Sequence, residues 1–368
     1  MKHERACHLL PILSAVHTDS IGLESCKGLP LCLAILSKRS VLTVRQHRSF
    51  LIIAIMTITS ITAALAFTFF LSVGTTQAAP QTAVLHGMHV MKVKGSCRHN
   101  CGGGSNNLSY HGGVSGYGVE TGADKVYLIY WGAQWNNNDP SGEAAIQQNF
   151  MSHVGGSSWN NSVTQYCQGV ASGTTFCNGA GTAATNPSSM LAGVWYDNSR
   201  SAPSRPSQSQ LASEATNAAA HFGNKSATAN TTVQYVINTA TRNNASGFGS
   251  QYCAWHSSIS TSYGNIAYTN MPYITDAGAS CGANFNGLGS KAGITIVGGH
   301  EMAETETDIF PSGGWLDGSG AENGDKCAWI SSGQGASAMV SLNGTSFPVQ
   351  SLWSNAFNSD AGGCVLSY

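Results

Sequence analysis

Gly298-Gly299-His300-Glu301-Met302-Ala303-Glu304-Thr305-Glu306-Thr307-Asp308 is the stretch around which the chain is organised. It follows an apolar run, Ala292-Gly293-Ile294-Thr295-Ile296-Val297, which reads as a strand or as a buried entry into a helix. On a helix, His300 and Glu304 stand one turn apart on one face. Glu301 lies beside His300, rotated by about 100° from it. These are the mechanics of a His-Glu-x-x-His helix, with two ligands at i and i+4 and a glutamate set to act as general base. Here a carboxylate takes the second ligand position. Glu301, Glu304, Glu306 and Asp308 also crowd one segment, and like charges at such spacing are unfavourable without a cation.

A third ligand has to come from downstream. Asp308 is about 12 Å from His300 along a continuing helix, so it joins only if the helix ends early. Pro311 and Gly313-Gly314 then turn the chain back through Trp315-Leu316-Asp317-Gly318-Ser319-Gly320-Ala321-Glu322-Asn323-Gly324-Asp325-Lys326-Cys327. Glu322, Asp325 and Asp317 are all placed to return to the helix, and a disulfide at Cys327 would fix Asp325. His300, Glu304 and one returning carboxylate, with an open position, suit Zn²⁺ with Glu301 as base. The oxygen-rich donor set leaves Ca²⁺ or Mn²⁺ as alternatives. His256, in Cys253-Ala254-Trp255-His256, is a secondary candidate, as a further ligand or a transition-state donor. The bland reading of His256 is a structural hydrogen-bonding residue, and His111 carries still less weight.

Around this stretch, strand and helix signals alternate. Lys125-Val126-Tyr127-Leu128-Ile129-Tyr130-Trp131 is the best strand. Residues 142–154 and 207–222 read as helices from their apolar spacing. Strands are expected at 193–196, 232–237 and 265–274, with short ones near 338–340 and 347–352. The pattern predicts an α/β or α+β fold, a mixed sheet with covering helices that would accommodate a zincin-like arrangement. No Gly-x-Ser-x-Gly elbow, phosphate-binding loop or dinucleotide fingerprint occurs in a credible context. The numerous tryptophans are expected in the core, with stacking on sugars as the functional alternative.

The N-terminal third is of another kind. Residues 50–74 carry no charge, follow Arg45, His47 and Arg48, and precede Thr76-Gln77-Ala78-Ala79-Pro80. That is a basic region, an apolar core and a small-residue cleavage site, a signal peptide or signal anchor over residues 50–79. Residues 1–49 read as an over-extended start or a cytoplasmic extension. Residues 80–107 form a polar, Gly-containing lead-in, a linker or a loosely pinned arm. Residues 108–368 are expected to be a single extracellular domain. Membrane association would follow only from an uncleaved anchor at 50–74.

Cysteine usage also points to export. Cys97, Cys101, Cys167, Cys177, Cys253, Cys281, Cys327 and Cys364 follow the cleavage site. An even count in a secreted chain reads as disulfides, here expected in sequential order: 97–101, 167–177, 253–281 and 327–364. From Pro80 onward ten Lys and Arg face fifteen Asp and Glu. No basic patch suggests a nucleic-acid partner.

Leu108-Ser109-Tyr110-His111-Gly112-Gly113, Val126-Tyr127-Leu128-Ile129-Tyr130-Trp131-Gly132 and Cys253-Ala254-Trp255-His256 resemble the phosphate-induced protein 1 (EXORDIUM-like) family. The resemblance is to its microbial branch, through Thr307-Asp308 and Gly324-Asp325-Lys326-Cys327. It covers most of residues 108–368 in short motifs. It implies secretion and an extracellular, wall-associated setting better than it implies an activity. A second resemblance, to zincin-type peptidases, rests on His300, Glu301 and Glu304 only. Together these readings predict a secreted, metal-dependent hydrolase of the metallopeptidase kind acting on an extracellular peptide or wall polymer. The alternative is a non-catalytic wall-associated binding protein with a structural cation.

Overall fold

In the run from Lys125 to Trp131, Val126, Leu128 and Tyr130 alternate with Tyr127 and Ile129, and a strand sends such alternating residues to opposite faces. The computed structural model, which describes residues 83–96 and 106–368, places this strand inside a sheet covered on both sides. Val126, Leu128 and Tyr130 join one apolar core and Tyr127 and Ile129 another. The sheet comprises β1 (Val84–Leu85), β2 (His89–Lys92), β3 (Lys125–Trp131), β4 (Leu191–Asp197), β5 (Val233–Thr239), β6 (Tyr252–Thr261) and β7 (Gly264–Met271). Strands β4, β3, β5 and β7 run parallel in that order. Strand β6 is antiparallel to β7, and β1 and β2 pair end to end along its outer edge.

The helices are α1 (Glu143–Val154), α2 (Gln208–His221) and α3 (Ala292–Thr307). Parallel neighbours need crossovers, and α1 and α2 lie between β3 and β4 and between β4 and β5 in the chain. Ser207 caps α2, accepting from the Gln210 amide while the Gln210 side chain reaches back to the Ser207 amide. Leu211, Ala215, Ala218 and Ala219 of α2 pack on the face carrying Tyr127 and Ile129. Phe150, Met151 and Val154 of α1 share the opposite face with Ile294, Ile296, Val297, Met302 and Ala303 of α3. The fold is therefore mixed α/β with a mixed sheet and covering helices, as expected.

Helix α3 is buried at every position from Ala292 to Thr307. The run Ala292–Val297, read as a strand or a buried helix entry, is its first part. A helix enclosed on all sides is apolar all round and loses the one-sided stripe that identifies surface helices. Gly299 allows the close packing, since a Cβ there would stand 3.1 Å from both Phe150 and Trp159.

Two further elements differ from expectation. Strand β6 is the longest of the sheet, yet the polar Ser257, Ser258 and Ser260 hide its alternation. Residues from Ile274 onward, read as the end of a strand, form a 3₁₀ helix, Ile274–Cys281. The lead-in is pinned to the sheet where it is described, through β1 and β2.

Three disulfides, Cys167–Cys177, Cys253–Cys281 and Cys327–Cys364, close as the sequential order predicts. The expected 97–101 pair and the apolar 50–74 segment lie outside the described residues. Among those residues no helix is long and apolar enough to cross a membrane. Cys253 is on β6 three residues before His256, and its bridge closes a 28-residue separation. Replacing Cys253 and Cys281 together by Ser is expected to cost about 3 to 4 kcal/mol of stability, from the loop closure it releases. Urea unfolding under non-reducing conditions measures this; a loss below about 1 kcal/mol would show that the bridge is dispensable.

Candidate metal centre

Helix α3 carries His300 and Glu304 on one face, and both are fully buried. His300 Nε2 and Glu304 Oε1 stand 3.0 Å apart, without the alignment of a hydrogen bond, so Nε2 is unpartnered. Asp325 Oδ1 approaches the same nitrogen at 3.8 Å. His300, Glu304 and Asp325 thus offer donor atoms that all lie within 4.8 Å of one another. The returning loop is locked in place: the Asp325 amide donates to Glu304 Oε1 at 2.8 Å. Asn323 donates from its side chain to the Ala303 carbonyl and the Thr307 hydroxyl. Gly324 passes so close that a Cβ on it would stand 2.8 Å from His300 Nδ1 and 2.9 Å from Glu304 Oε1.

Gln350 fixes the tautomer of His300. Its side-chain nitrogen donates to the Gly324 carbonyl at 2.8 Å, so its oxygen faces His300 Nδ1, at 3.2 Å. An oxygen can only accept, which places a ring proton on Nδ1, so that the neutral ring, once Nε2 is deprotonated, would turn its Nε2 lone pair toward Glu304 and Asp325. This is the arrangement found behind metal-binding histidines. Nothing in the sequence marks Gln350, because an isolated glutamine in a turn-rich tail has no spacing signature.

Glu322 takes a different place. Its Oε2 accepts from His256 Nε2 at 3.0 Å and from His89 Nδ1 at 2.8 Å. His89, on β2, and His256, on β6, are direct cross-strand partners. His89, Glu322 and His256 form a second group of close donors. Sequence reasoning missed His89, whose role depends on strand pairing across a long chain separation. His256 also lies 3.8 Å from Glu304 Oε2, and His256, Glu301 and Glu304 make a third group. Both carboxylate oxygens of Glu301 are buried without a partner. Glu301 lines a cavity of about 10 Å³ with Met271, Met302 and Thr269, room for one water at most.

Other acidic candidates serve the backbone. Helix α3 does end at Asp308, whose carboxylate accepts from the amides of Ser312, Gly313 and Gly314 and lies outside the three groups. Asp317 accepts from buried Lys326 at 3.0 Å and from the Ser319 and Ala321 amides. His111 is at the surface.

The electrostatics show how the protein tolerates this cluster. Burial opposes charge on His89, but Glu322 outweighs it and raises the imidazole to about 10. Against the same opposition, Glu322 raises His256 to about 9 and Glu304 raises His300 to about 10. Burial pushes Glu301 up to about 8, offset in part by His300. Burial, with Glu304 adding to it, lifts Asp325 to about 7. Glu322 is held well below the usual range, its burial more than offset by His256 and His89.

Comparison with protein-family models, curated proteins and solved structures finds no match to this chain. The site's chemistry rests on its own geometry.

Two predictions follow from that geometry. Gln350→Ala frees the His300 ring and is expected to weaken Zn²⁺ binding by about 10- to 100-fold; unchanged affinity by competition with a chelating dye would refute the positioning role. The second concerns pH. Histidines with raised pKa values stabilise the fold fully below about pH 6.5 and lose that contribution as pH rises through 9 to 10. Glu301 and Asp325, raised from 4.5 and 3.8 to about 8 and about 7, cost the fold progressively as pH rises from about 4, where they ionise in the unfolded chain, up to about 7 to 8, where the cost is complete. Chelated protein should therefore lose thermal stability between pH 6 and 9, and saturating divalent cation should remove much of the loss. A melting temperature independent of pH in chelator would contradict this account.

Proposed function

We propose that the protein is a metal-dependent hydrolase, of the zinc metallopeptidase kind, working outside the cell. The observation that carries this reading is that donor atoms of His300, Glu304 and Asp325 all lie within 4.8 Å of one another, with Nε2 of His300 unpartnered and a buried, unpartnered Glu301 one residue along the helix. A divalent cation held there would polarise a scissile carbonyl as a Lewis acid. Glu301, raised to about 8, suits a general base working near neutral pH. It would take a proton from the attacking water and return it to the leaving amine. Asp325, at 26 % side-chain exposure, and His89, at 15 %, form the outward edge of an otherwise buried centre. Substrate would approach from that edge. The disulfides support the extracellular setting.

The depth of His300, Glu301 and Glu304, each no more than 1 % exposed, favours a second reading, a closed structural cation in an extracellular binding protein. Glu301→Gln separates the two. For the hydrolase, the variant retains its cation and loses peptide hydrolysis by about 100-fold or more. Unchanged hydrolysis in the variant would sink the assignment of Glu301. A wild-type protein that binds cation, gains stability from it and cleaves no peptide in a broad library would be the structural reading.

A further inference from the structure

We propose that the centre holds two divalent cations, bridged by the carboxylate of Glu304. This inference rests on the metal-centre reading above and deepens it. A single position does not account for the donors. His300 and His256 fall in different groups of mutually close atoms, and Glu304 belongs to a group with each. Its two oxygens divide between them: Oε1 lies 3.0 Å from His300 Nε2, and Oε2 lies 3.8 Å from His256 Nε2. Oε2 has no hydrogen-bond partner although it is buried, and neither has Glu322 Oε1. Unpartnered buried carboxylate oxygens are costly unless something positive meets them.

The first position is bounded by His300, Glu304 Oε1 and Asp325. The second is bounded by His89, His256 and Glu322, with Glu304 Oε2 3.8 Å from His256 Nε2 on the side of the first position. His89 and His256 hydrogen-bond to Glu322 at 2.8 and 3.0 Å, and with those protons lost the three donors are close enough to face one ion. Glu304 Oε2 completes the set from the first position's side. A carboxylate shared in this way holds two ions at the roughly 3.5 to 4 Å spacing of paired-metal hydrolases.

Charge favours the pair as well. The carboxylates of Glu301, Glu304, Glu322 and Asp308, with Asp325 at the edge, crowd around the imidazoles of His89, His256 and His300. As ligands the histidines are neutral, and one divalent ion then leaves most of the negative charge uncompensated. Two bring the centre close to neutrality. Mixed nitrogen and oxygen donors suit Zn²⁺ or Mn²⁺.

The test is the metal content and magnetic state of the purified full chain, loaded with Mn²⁺ and freed of excess by gel filtration. Wild-type protein is expected to hold two Mn²⁺ per chain and to show an exchange-coupled electron paramagnetic resonance spectrum. His89→Ala, on an edge strand, should fall to one Mn²⁺ with an isolated-ion spectrum, its fold checked by circular dichroism. Two uncoupled ions in the wild type would overturn the Glu304 bridge. One ion in the wild type, kept by His89→Ala and lost by His300→Ala, would overturn the second position and leave the hydrolase centre intact. No bound ion in the wild type would overturn both. These readouts need no folded His300 variant, because the wild-type stoichiometry alone decides between one ion and two.

Discussion

Burying a row of carboxylates along one helix is the constraint on which this structure depends. Helix α3 runs beneath a covered sheet with no position open to water, yet it carries Glu301, Glu304 and Glu306 and ends in Asp308. Transfer of an ionised carboxylate into such surroundings is prohibitive unless the charge is paired, hydrogen-bonded or neutralised. Each acidic side chain therefore needs its own solution, and much of the surrounding architecture consists of those solutions. Asp308 is met by three backbone amides of the turn after the helix. Glu304 is met by His300, His256 and the Asp325 amide. Only Glu301 is left with neither oxygen satisfied, and a buried group left unsatisfied is where function is best sought.

The elements that hold the centre are distant in sequence and rigid in construction. His256 sits on the longest strand and is tied by the Cys253–Cys281 bridge near its start. His89 is fixed opposite it by strand register. Glu322 and Asp325 ride on a loop clamped to α3 by Asn323, backed by Lys326 lying 4.1 Å over the Trp353 ring and paired with Asp317, and closed by Cys327–Cys364. Side chains held on strands, a helix and a stapled loop are preorganised, so little ordering would remain for any cation they took.

How much of this was legible in the sequence depends on the range of each interaction. His300 and Glu304 are one helical turn apart, and local periodicity suffices to put them on one face. The mixed sheet with covering helices could also be read, because β3, α1 and α2 each carry their own alternation or stripe. The strand β6 could not, since the polar Ser257, Ser258 and Ser260, which hydrogen-bond to His86 and Gly87 of the lead-in, break the pattern that marks a half-buried strand. His89 follows from β6, because only the pairing of β2 along that edge brings it to Glu322. Glu322 and Asp325 were both in view, but spacing alone could not show that they serve different groups. Gln350 carried no signal at all; its importance lies in one hydrogen bond that sets a tautomer.

The same helix shows what its acidic groups do when imidazoles do not face them. Glu306 is two residues beyond Glu304, and on a helix that turns it to the opposite side. There it meets Asn160 at 3.0 Å, with Glu120 and Asp124 near, and no histidine. Burial, with Asp124 adding to it, pushes Glu306 well above the usual range, and burial with Asp124 and Glu306 does the same to Glu120. Burial favours the uncharged form of both, and Gln234 donates to Glu120 at 3.1 Å. On that side of α3 the surroundings favour the protonated carboxyl. On the other side, the fold brings three imidazoles to within contact distance of the carboxylates. Had neutralisation been the only requirement, the arrangement around Glu306 shows that amides and bound protons meet it without any histidine. The convergence of His89, His256 and His300, from two strands and a helix, sets three close groups of possible metal donors on that side of α3 and none around Glu306 among the described residues.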